Sequence, residues 1–337
     1  MYRRICGSHL MGKASGQLFH ALAGGFGTNV RTGNQVRYDF VLARCLLRPY
    51  YAACPLKASH EEKEGGIFVI RLIALDLDGT LLGSDWRVSA IDGEAVAEAR
   101  DRGVQIVLNT ARWYGIALRT AQRLELHTPL ICHNGAHIKQ PDDGAELLHL
   151  RIAKEHAREI AAFCDEGGFE TMTTVDGMTY LRTPAEAAID PQRLPKDMRV
   201  AKTHAEFVTA PATGILVFGD DAVQAVTDAF AERYAGVIGF PVGWSEALRP
   251  YVTITDAGAD KGRALRLVCE QLGVPPEEAM AVGDAAPDVA MFDVAKVGVA
   301  MGNAPEDVKA RADAVAPSNV EGGVAWAIRR FVFEETS

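Results

Sequence analysis

The hydrophobic positions of the chain follow a regular alternation from residue 67 onward. Continuous apolar runs at Ile67–Leu75 and Val104–Thr110 alternate with the amphipathic segments Ser89–Arg102 and Trp113–Leu126. The runs predict buried strands and the amphipathic segments predict helices. Ser89, with Asp92 three residues later, is a typical capping box for the first helix. This order predicts right-handed βαβ units and a parallel sheet.

The same order returns near residue 250, after a stretch of different character. A strand at Tyr251–Thr255 is followed by a helix at Asp260–Leu272 and a strand at Ala279–Val282. Residues 151–250 instead combine amphipathic strands with helices near Lys154–Gly167 and Ala222–Ala235. We therefore expect an α/β core with a doubly wound parallel sheet, formed by residues 67–150 and 251–337. An α+β domain at residues 151–250 is inserted into it.

Residues 1–66 show no sustained helical or strand period. An Arg-rich, acid-poor leader is compatible with a transit peptide. The glycines at residues 24–27 resemble a phosphate loop but lack a preceding strand. We favour a third hypothesis, translated upstream DNA, because Glu61–Gly66 would be encoded by purine-rich codons like a ribosome-binding sequence, just before a possible start at Val69. We expect residues 1–66 to be a non-native or disordered extension without function.

The composition and charge of the chain argue against several classes of protein. The 337 residues are 48% hydrophobic and 23% charged, and Arg71 and Asp76 interrupt the best candidate for a membrane span. The six cysteines include no CxxC pair, so neither a disulfide framework nor a zinc site is indicated and a cytoplasmic location is expected. The net charge of −9 divides into +7 for residues 1–60 and −16 for the remainder. This acidic body argues against nucleic-acid binding and requires local cations if the ligand is an anion.

Chemically active residue types follow several of the predicted strands or open the helix after them: Asp76 and Asp78, Thr110, Lys261, and Asp284 with Asp288. The carboxyl ends of parallel strands form one edge of the sheet, where ligands bind. Neighbouring carboxylates repel each other unless a cation lies between them, and Mg²⁺ prefers oxygen ligands. Thr and Lys supply a hydroxyl and a compact positive charge for phosphoryl oxygens. The sequence therefore predicts a site for Mg²⁺ and a phosphate group.

Taken in order, these segments resemble the motifs of haloacid dehalogenase-like hydrolases, specifically Cof-type members with a type IIB cap. The resemblance covers Ile67 to about Phe333 and rests on motifs at Asp76–Thr80, Asn109–Arg112, Lys261–Gly262 and Gly283–Asp288, with Asn134–Ala136 typical of the subgroup. It implies a Rossmann-like core, a cap at residues 151–250, and a phosphatase that hydrolyses small phosphorylated metabolites such as sugar phosphates. A monomer or homodimer is expected.

The resemblance also implies a role for each residue. Asp76 would be the nucleophile that forms an aspartyl-phosphate, and Asp78 would be the general acid and then the base. Mg²⁺ would bind Asp76, Asp284, Asp288 and the main-chain carbonyl of Asp78. The phosphoryl group would contact the remaining predicted residues: Leu77, Thr110, Ala111, Lys261 and Asn303. Because a halide leaves without a proton, the presence of Asp78 favours phosphate esters.

Two departures keep alternatives open. Pro287 stands where the family commonly has Asn, and it offers neither a side-chain amide nor a backbone N–H, so we expect Asn303 to supply the missing contact. Ala111 replaces a common Gly. A phosphosugar mutase and a catalytically weak sensor of phosphometabolites remain alternative functions.

His133 and His137 flank Asn134 and Gly135 and suggest a metal pair. Because the sequence indicates no third ligand, we expect ordinary polar contacts for both histidines.

Overall fold

The computed structural model describes residues 69–183, 194–244 and 249–334. The predicted extension at residues 1–66 lies outside the described residues. Within them, each helix is too short or too polar to span a bilayer.

The elements alternate as the hydrophobic pattern predicts. The strands are β1 Leu72–Leu75, β2 Gln105–Leu108, β3 Leu130–Cys132, β4 His137–Lys139, β5 Glu146–His149, β6 Glu170–Val175, β7 Met178–Arg182, β8 Met198–Val200, β9 Ala212–Phe218, β10 Ile238–Gly239, β11 Val242–Trp244, β12 Pro250–Asp256, β13 Ala279–Gly283, β14 Val297–Ala300 and β15 Ala314–Val315. The α-helices are α1 Ala90–Asp101, α2 Tyr114–Arg123, α3 Lys154–Gly167, α4 Asp220–Phe230, α5 Lys261–Leu272, α6 Val289–Phe292, α7 Glu306–Lys309 and α8 Gly323–Ile328.

The core is a parallel sheet with strand order β15–β14–β13–β1–β2. Strand β1, which lies between β13 and β2, is fully buried, which explains the uninterrupted apolar run. Ile73 and Leu75 face a hydrophobic cluster that includes residues of α1, α2 and α8, whereas Leu72 and Ala74 face a second cluster with α5 and α6. Alternate residues of the strand thus point to opposite, helix-covered faces. The predicted doubly wound α/β core is confirmed.

The first helix begins as its capping box predicts. The Ser89 hydroxyl accepts the Asp92 N–H at 3.1 Å and donates to the Asp92 carboxylate at 2.7 Å. Asp92 also accepts the Ala325 N–H at 2.8 Å, and this hydrogen bond links the N-terminus of helix α1 to α8.

The inserted domain is a second, largely antiparallel sheet with strand order β10–β12–β9–β6–β7–β8, and β11 pairs with β12. Helices α3 and α4 pack on one face of it through Ile160, Val226 and Phe230. The other face carries Met172, Leu216 and Phe218, which pack against Trp113 of the core. This sheet with helices on one side is the expected α+β cap.

The boundary between the two domains differs from the prediction. The sequence analysis assigned Tyr251–Thr255 to the core, because the segment precedes the helix that begins at Lys261. Strand β12 instead pairs antiparallel with β9, placing Tyr251 opposite Phe218. The strand therefore belongs to the cap sheet, and the chain returns to the core only after Asp256. A strand followed by a helix is also the pattern of a core unit, so the order of elements could not separate the two assignments.

Two sets of contacts join the core to the cap. The antiparallel strands β3, β4 and β5 form a third sheet, and Ile152 then bridges to Ala212 of β9. Farther along the interface, Asp197 of the cap accepts hydrogen bonds from Trp113 Nε1 at 2.8 Å and from Arg119 at 3.0 Å.

Gly262 lets helix α5 approach α6. A Cβ at this position would lie 2.2 Å from the carbonyl oxygen of Ala290. We expect Gly262→Ala to lower the free energy of unfolding by about 1–3 kcal/mol through overpacking. Gly93 is the control, because its Cβ would meet nothing closer than 3.7 Å. Gly93→Ala should stabilise helix α1 by about 0.5–1 kcal/mol. Chemical denaturation measures both changes, and equal stability of the two variants would contradict the packing argument.

Candidate active site

Two acidic loops meet at the carboxyl edge of the core sheet. Asp76 follows β1, and Asp284 follows the adjacent parallel strand β13. Gly79 has a φ of +79°, and a Cβ there would lie 2.3 Å from Asp284 Oδ2. Only glycine allows the two loops to come this close. The Thr80 hydroxyl donates to Asp284 Oδ1 at 2.8 Å and fixes the carboxylate against the first loop.

Lys261 connects three separate segments. It opens helix α5, and its Nζ donates to Asp76 Oδ1 and to Asp288 Oδ1, each at 2.6 Å. The other oxygen of Asp288 accepts the N–H groups of Asp284 at 3.0 Å and Ala285 at 2.9 Å. Asp288 therefore orients both the lysine and the loop that carries Asp284.

The start of α5 is held by two side chains. Asp260 caps the helix by accepting the Arg263 N–H at 2.7 Å. Asn109, at the end of β2, donates to the Lys261 carbonyl at 3.0 Å. Asn109 lies in one of the predicted motifs, but no role was predicted for it. The side chain fixes the main chain that carries the lysine.

Burial sets the protonation of these groups. It raises the pKa of Asp76 to about 7, against the opposing effect of Lys261 and with the support of Asp288 and Asp78. The pKa of Asp284 is also raised, first by burial and then by the charges of Asp76 and Asp288. Burial by itself lowers the pKa of Lys261, but the carboxylates of Asp288 and Asp76 outweigh it and the pKa is raised. The lysine therefore stays charged, and the carboxylates favour a further cation.

The donor set fits a divalent cation. Asp76, Asp284 and Asp288 each offer a carboxylate oxygen, and these oxygens lie within 4.8 Å of one another. Hard cations such as Mg²⁺ take oxygen ligands. The three predicted carboxylates are brought together here, so the residues present fit the predicted cofactor. A metal contact through the Asp78 carbonyl stays a prediction.

Asp78 has a partner that the sequence analysis missed. Arg112 forms a two-pronged ion pair with it, with Nε–Oδ2 at 2.6 Å and NH2–Oδ1 at 2.5 Å. The guanidinium also stacks on the Trp86 ring, with its carbon 4.2 Å from the ring centroid. Both oxygens of Asp78 therefore accept from Arg112, and each retains one further lone pair for another donor. One feature of the sequence could have indicated this partner: Arg112 is a cation two residues after Thr110, in an otherwise acidic site.

The remaining predicted residues surround the same edge. Thr110 is fully buried at the end of β2, and its hydroxyl accepts the Arg112 N–H at 3.1 Å. Ala111 lies next to it, and Leu77 is buried between the two aspartates. Phosphate contacts by Leu77, Thr110 and Ala111 stay predictions.

Asn303 is engaged with the main chain of two loops. Its amide donates to the Gly79 carbonyl at 2.8 Å and its oxygen accepts the Asn319 N–H at 3.0 Å. It thus supports the loop that carries Gly79, and its predicted contact with phosphate stays a prediction. Pro287 lies in the short 3-10 turn Ala286–Asp288, where proline is tolerated near the start of a helical segment.

The cap contributes Tyr251 to the site. Burial raises the pKa of its hydroxyl, and the charges of Asp78 and Asp76 raise it further. The hydroxyl therefore lies within electrostatic range of these carboxylates, and the ring packs against the cluster that contains Trp113. The sequence analysis missed this role because it assigned the strand of Tyr251 to the core sheet.

A cleft of about 910 Å³ lies between α2 and the cap, and it is lined by residues that directly follow Arg112 but by none of the carboxylates of the site. Trp113 and Tyr114 line it from the core, and Asp176, Lys196 and Asp197 line it from the cap. Its walls carry both aromatic surface and charges of both signs. Such a cleft is large enough for a small polar metabolite.

Comparisons with known proteins agree with this geometry. Residues 73–328 match the family model of haloacid dehalogenase-like hydrolases. The phosphatase YwpJ of Bacillus subtilis is 30% identical over 288 residues, which cover 78% of this chain and all of YwpJ. The pyridoxal phosphate phosphatase YbhA of Escherichia coli is 30% identical over 265 residues, covering 76% of this chain and 96% of YbhA. A haloacid dehalogenase-like hydrolase from B. subtilis has a similar solved structure, with a TM-score of 0.66, 28% identity, and coverage of 78% of this chain and all of the other. The chain belongs to the haloacid dehalogenase-like hydrolase family.

Proposed function

We propose that the protein is a Mg²⁺-dependent phosphatase that hydrolyses phosphate monoesters of small metabolites through an aspartyl-phosphate on Asp76. The observation that carries this proposal is the convergence of Asp76, Asp284 and Asp288 around the charged Lys261. The names of the relatives YwpJ and YbhA support phosphate-ester chemistry.

Two displacements make up the proposed reaction. In the first, an Asp76 oxygen forms a bond to phosphorus while the ester P–O bond breaks, and Asp78 gives its proton to the departing alkoxide. In the second, Asp78 takes a proton from water, whose oxygen attacks phosphorus. The bond to Asp76 then breaks, and inorganic phosphate leaves with both catalytic carboxyl groups restored.

Lys261 lies where charge accumulates in both displacements. Its Nζ is 2.6 Å from the Asp76 oxygen, and its raised pKa keeps it positive. It thereby lowers the energy of the charged phosphoryl group relative to water. Asp76, Asp284 and Asp288 would hold Mg²⁺, which supplies additional positive charge to the phosphoryl oxygens.

The ion pair between Arg112 and Asp78 can be opened by the substrate itself. A phosphate ester that enters the site offers oxygens for which the guanidinium can exchange its carboxylate partner. We propose that this exchange frees the Asp78 carboxylate to take up a proton from water or from a protonated phosphate ester, and that Asp78 then gives this proton to the departing alkoxide. The general acid would then become available when a substrate is present.

The substrate class follows from the cleft and from the relatives. YcsE of B. subtilis, 30% identical over 264 residues, is named for a phosphorylated ribitylamino-uracil, and YbhA is named for pyridoxal phosphate. We propose a phosphorylated sugar or similar small metabolite, with the leaving group held between Tyr251 and the aromatic residues at the start of α2.

A cytoplasmic location is proposed because the described cysteines Cys132, Cys164 and Cys269 are buried and free.

Asp76→Asn should lower kcat by at least about 10⁴-fold, because the amide cannot act as the nucleophile. Phosphate release from a sugar phosphate in the presence of Mg²⁺ measures the loss. Asp101→Asn, at an exposed carboxylate on α1, is the control and should keep wild-type activity. Retained turnover in Asp76→Asn would contradict the assignment of the nucleophile. Isomerisation of the sugar phosphate without phosphate release would identify a mutase instead.

Asp78→Asn should lower kcat/KM for an alkyl phosphate, which reports the first displacement, by about 10²–10⁴-fold, the usual contribution of a general acid. The loss should be much smaller for an aryl phosphate such as p-nitrophenyl phosphate, whose leaving group needs no proton. The amide oxygen still accepts from Arg112, so the fold should be retained. Equal losses for the two substrates would contradict the role of Asp78 as the acid.

Mg²⁺ should raise the thermal midpoint of the wild-type protein. At 100 times its dissociation constant, a ligand of the folded state adds about 2.7 kcal/mol of stability. Asp284→Asn should lose most of this increase. In chelator the variant should be as stable as the wild type, because the amide removes a crowded buried charge and still accepts from Thr80. An undiminished Mg²⁺ shift in Asp284→Asn would contradict the proposed metal site.

A further inference from the structure

A second cluster of metal-binding side chains lies on the strands that lead from the core to the cap. Strands β4 and β5 are antiparallel, and their register places His137 opposite His149. The two imidazole rings stack with centroids 4.1 Å apart. The Glu146 carboxylate lies 3.0 Å from His137 Nε2 and 3.2 Å from His149 Nδ1. The expectation that the histidines of this region lack a third ligand is therefore wrong.

The hydrogen bonds of His149 indicate where its lone pair points. Nδ1 lies 2.9 Å from the Arg151 guanidinium, which can only donate, and 3.2 Å from the Glu146 carboxylate, so we assign the lone pair to Nδ1 from the shorter contact. Nε2 then carries the proton and donates to Thr213 Oγ1 of the cap at 2.9 Å. The lone pair of Nδ1 and the carboxylate of Glu146 thus face the same space. The Arg151 guanidinium lies 3.8 Å from Glu146 at this place, which shows that the space favours a positive charge.

The surrounding cations can make room for a metal ion. Arg151 has a side chain that is 41% exposed, so it can turn into solvent. Lys139 Nζ is 4.0 Å from Glu146 Oε1, at the outer limit of an ion pair. Neither cation therefore blocks a ligand at the centre of the cluster.

His133 supplies an independent observation. Its side chain is buried, and neither ring nitrogen has a hydrogen-bond partner among the described residues. It lines the same cleft as His137 and His149. A buried polar group without a partner is destabilising, so the wall of this cleft carries an unsatisfied imidazole next to the cluster.

We propose that His137, Glu146 and His149 form a second metal site, selective for a transition-metal ion of the zinc type. Two imidazoles and one carboxylate are a common ligand set for Zn²⁺. Their ligand atoms lie within 4.8 Å of one another. Bonds of 2.0–2.1 Å to Zn²⁺ place tetrahedral ligand atoms about 3.4 Å apart, so metal binding requires the stacked rings to turn until both ring planes contain the ion.

The site differs from the Asp76 site in chemistry and position. The Asp76 site offers carboxylate oxygens to a hard cation, whereas this cluster offers nitrogen ligands. It lies on β4 and β5, and His149 connects it to Thr213 of β9. An ion here would therefore fix the connection between the core and the cap.

Cobalt binding tests the proposal in the full-length protein. The protein is stripped with a chelator, returned to saturating Mg²⁺ to fill the oxygen site, and titrated with Co²⁺, whose visible absorption reports nitrogen ligands. We expect one equivalent of Co²⁺, displaced by Zn²⁺. Glu146→Gln and His149→Gln should each weaken the affinity at least about 10-fold, the smallest loss typical even of residues behind the ligands. His127→Gln should leave it unchanged, because His127 is exposed and pairs with Asp142.

The controls separate this site from the Asp76 site and from misfolding. Asp284→Asn should bind Co²⁺ like the wild type, whatever its effect on phosphatase activity. Glu146 has a side chain that is 38% exposed, so Glu146→Gln should melt like the wild type in chelator and should lose the rise in melting temperature caused by Zn²⁺. Wild-type Co²⁺ affinity in Glu146→Gln, or loss of Co²⁺ binding in Asp284→Asn, would overturn the proposal.

Discussion

The buried charge of Lys261 is the constraint on which the acidic edge of the core depends. Its Nζ lies 2.6 Å from both Asp76 and Asp288, which come from loops after different strands of the sheet. Taking such carboxylates out of water is costly, and removing the one partner of a buried pair typically costs 3–5 kcal/mol. The lysine holds Asp76 beside Asp284, and the remaining excess of negative charge makes the place favourable for a divalent cation. Structural stability and proposed chemistry therefore rest on the same contacts.

The cap completes this arrangement from the opposite side. The Tyr251 hydroxyl lies within electrostatic range of the carboxylates, and Asp197 binds Trp113 and Arg119 of the core. Arg112 pairs with Asp78 at the same interface, and the proposed exchange with a competing anion would release Asp78. The residue proposed as nucleophile follows strand β1, whereas the groups proposed to control access and proton transfer lie where the two domains meet. This division is consistent with a rigid site for bond formation and a movable one for substrate selection.

The sequence was sufficient for the core and for the convergence of the acidic residues. Continuous apolar runs identify buried parallel strands, and the ends of such strands must share an edge, so Asp76 and Asp284 could be placed together. Lys261 follows a cap strand, and only the resemblance of the motifs placed it at the same edge. The sequence could not predict pairings that depend on which strands and side chains meet in the folded protein. Nothing in the pattern of Tyr251–Thr255 shows whether its partner is β9 or a core strand, and Arg112 reaches Asp78 across 34 residues. His137 and His149 meet only because β4 and β5 pair in one particular register.

The central claim is that Asp76 carries the phosphoryl group during turnover, and chemical trapping of that intermediate tests it most directly. The wild-type protein is mixed with substrate and Mg²⁺, quenched within one turnover, treated with borohydride to reduce an acyl phosphate, and digested for peptide mass spectrometry. The account predicts reduction at Asp76 that requires substrate and is absent when substrate is omitted. Reduction at another carboxylate, or an unmodified Asp76 during active turnover, would contradict it.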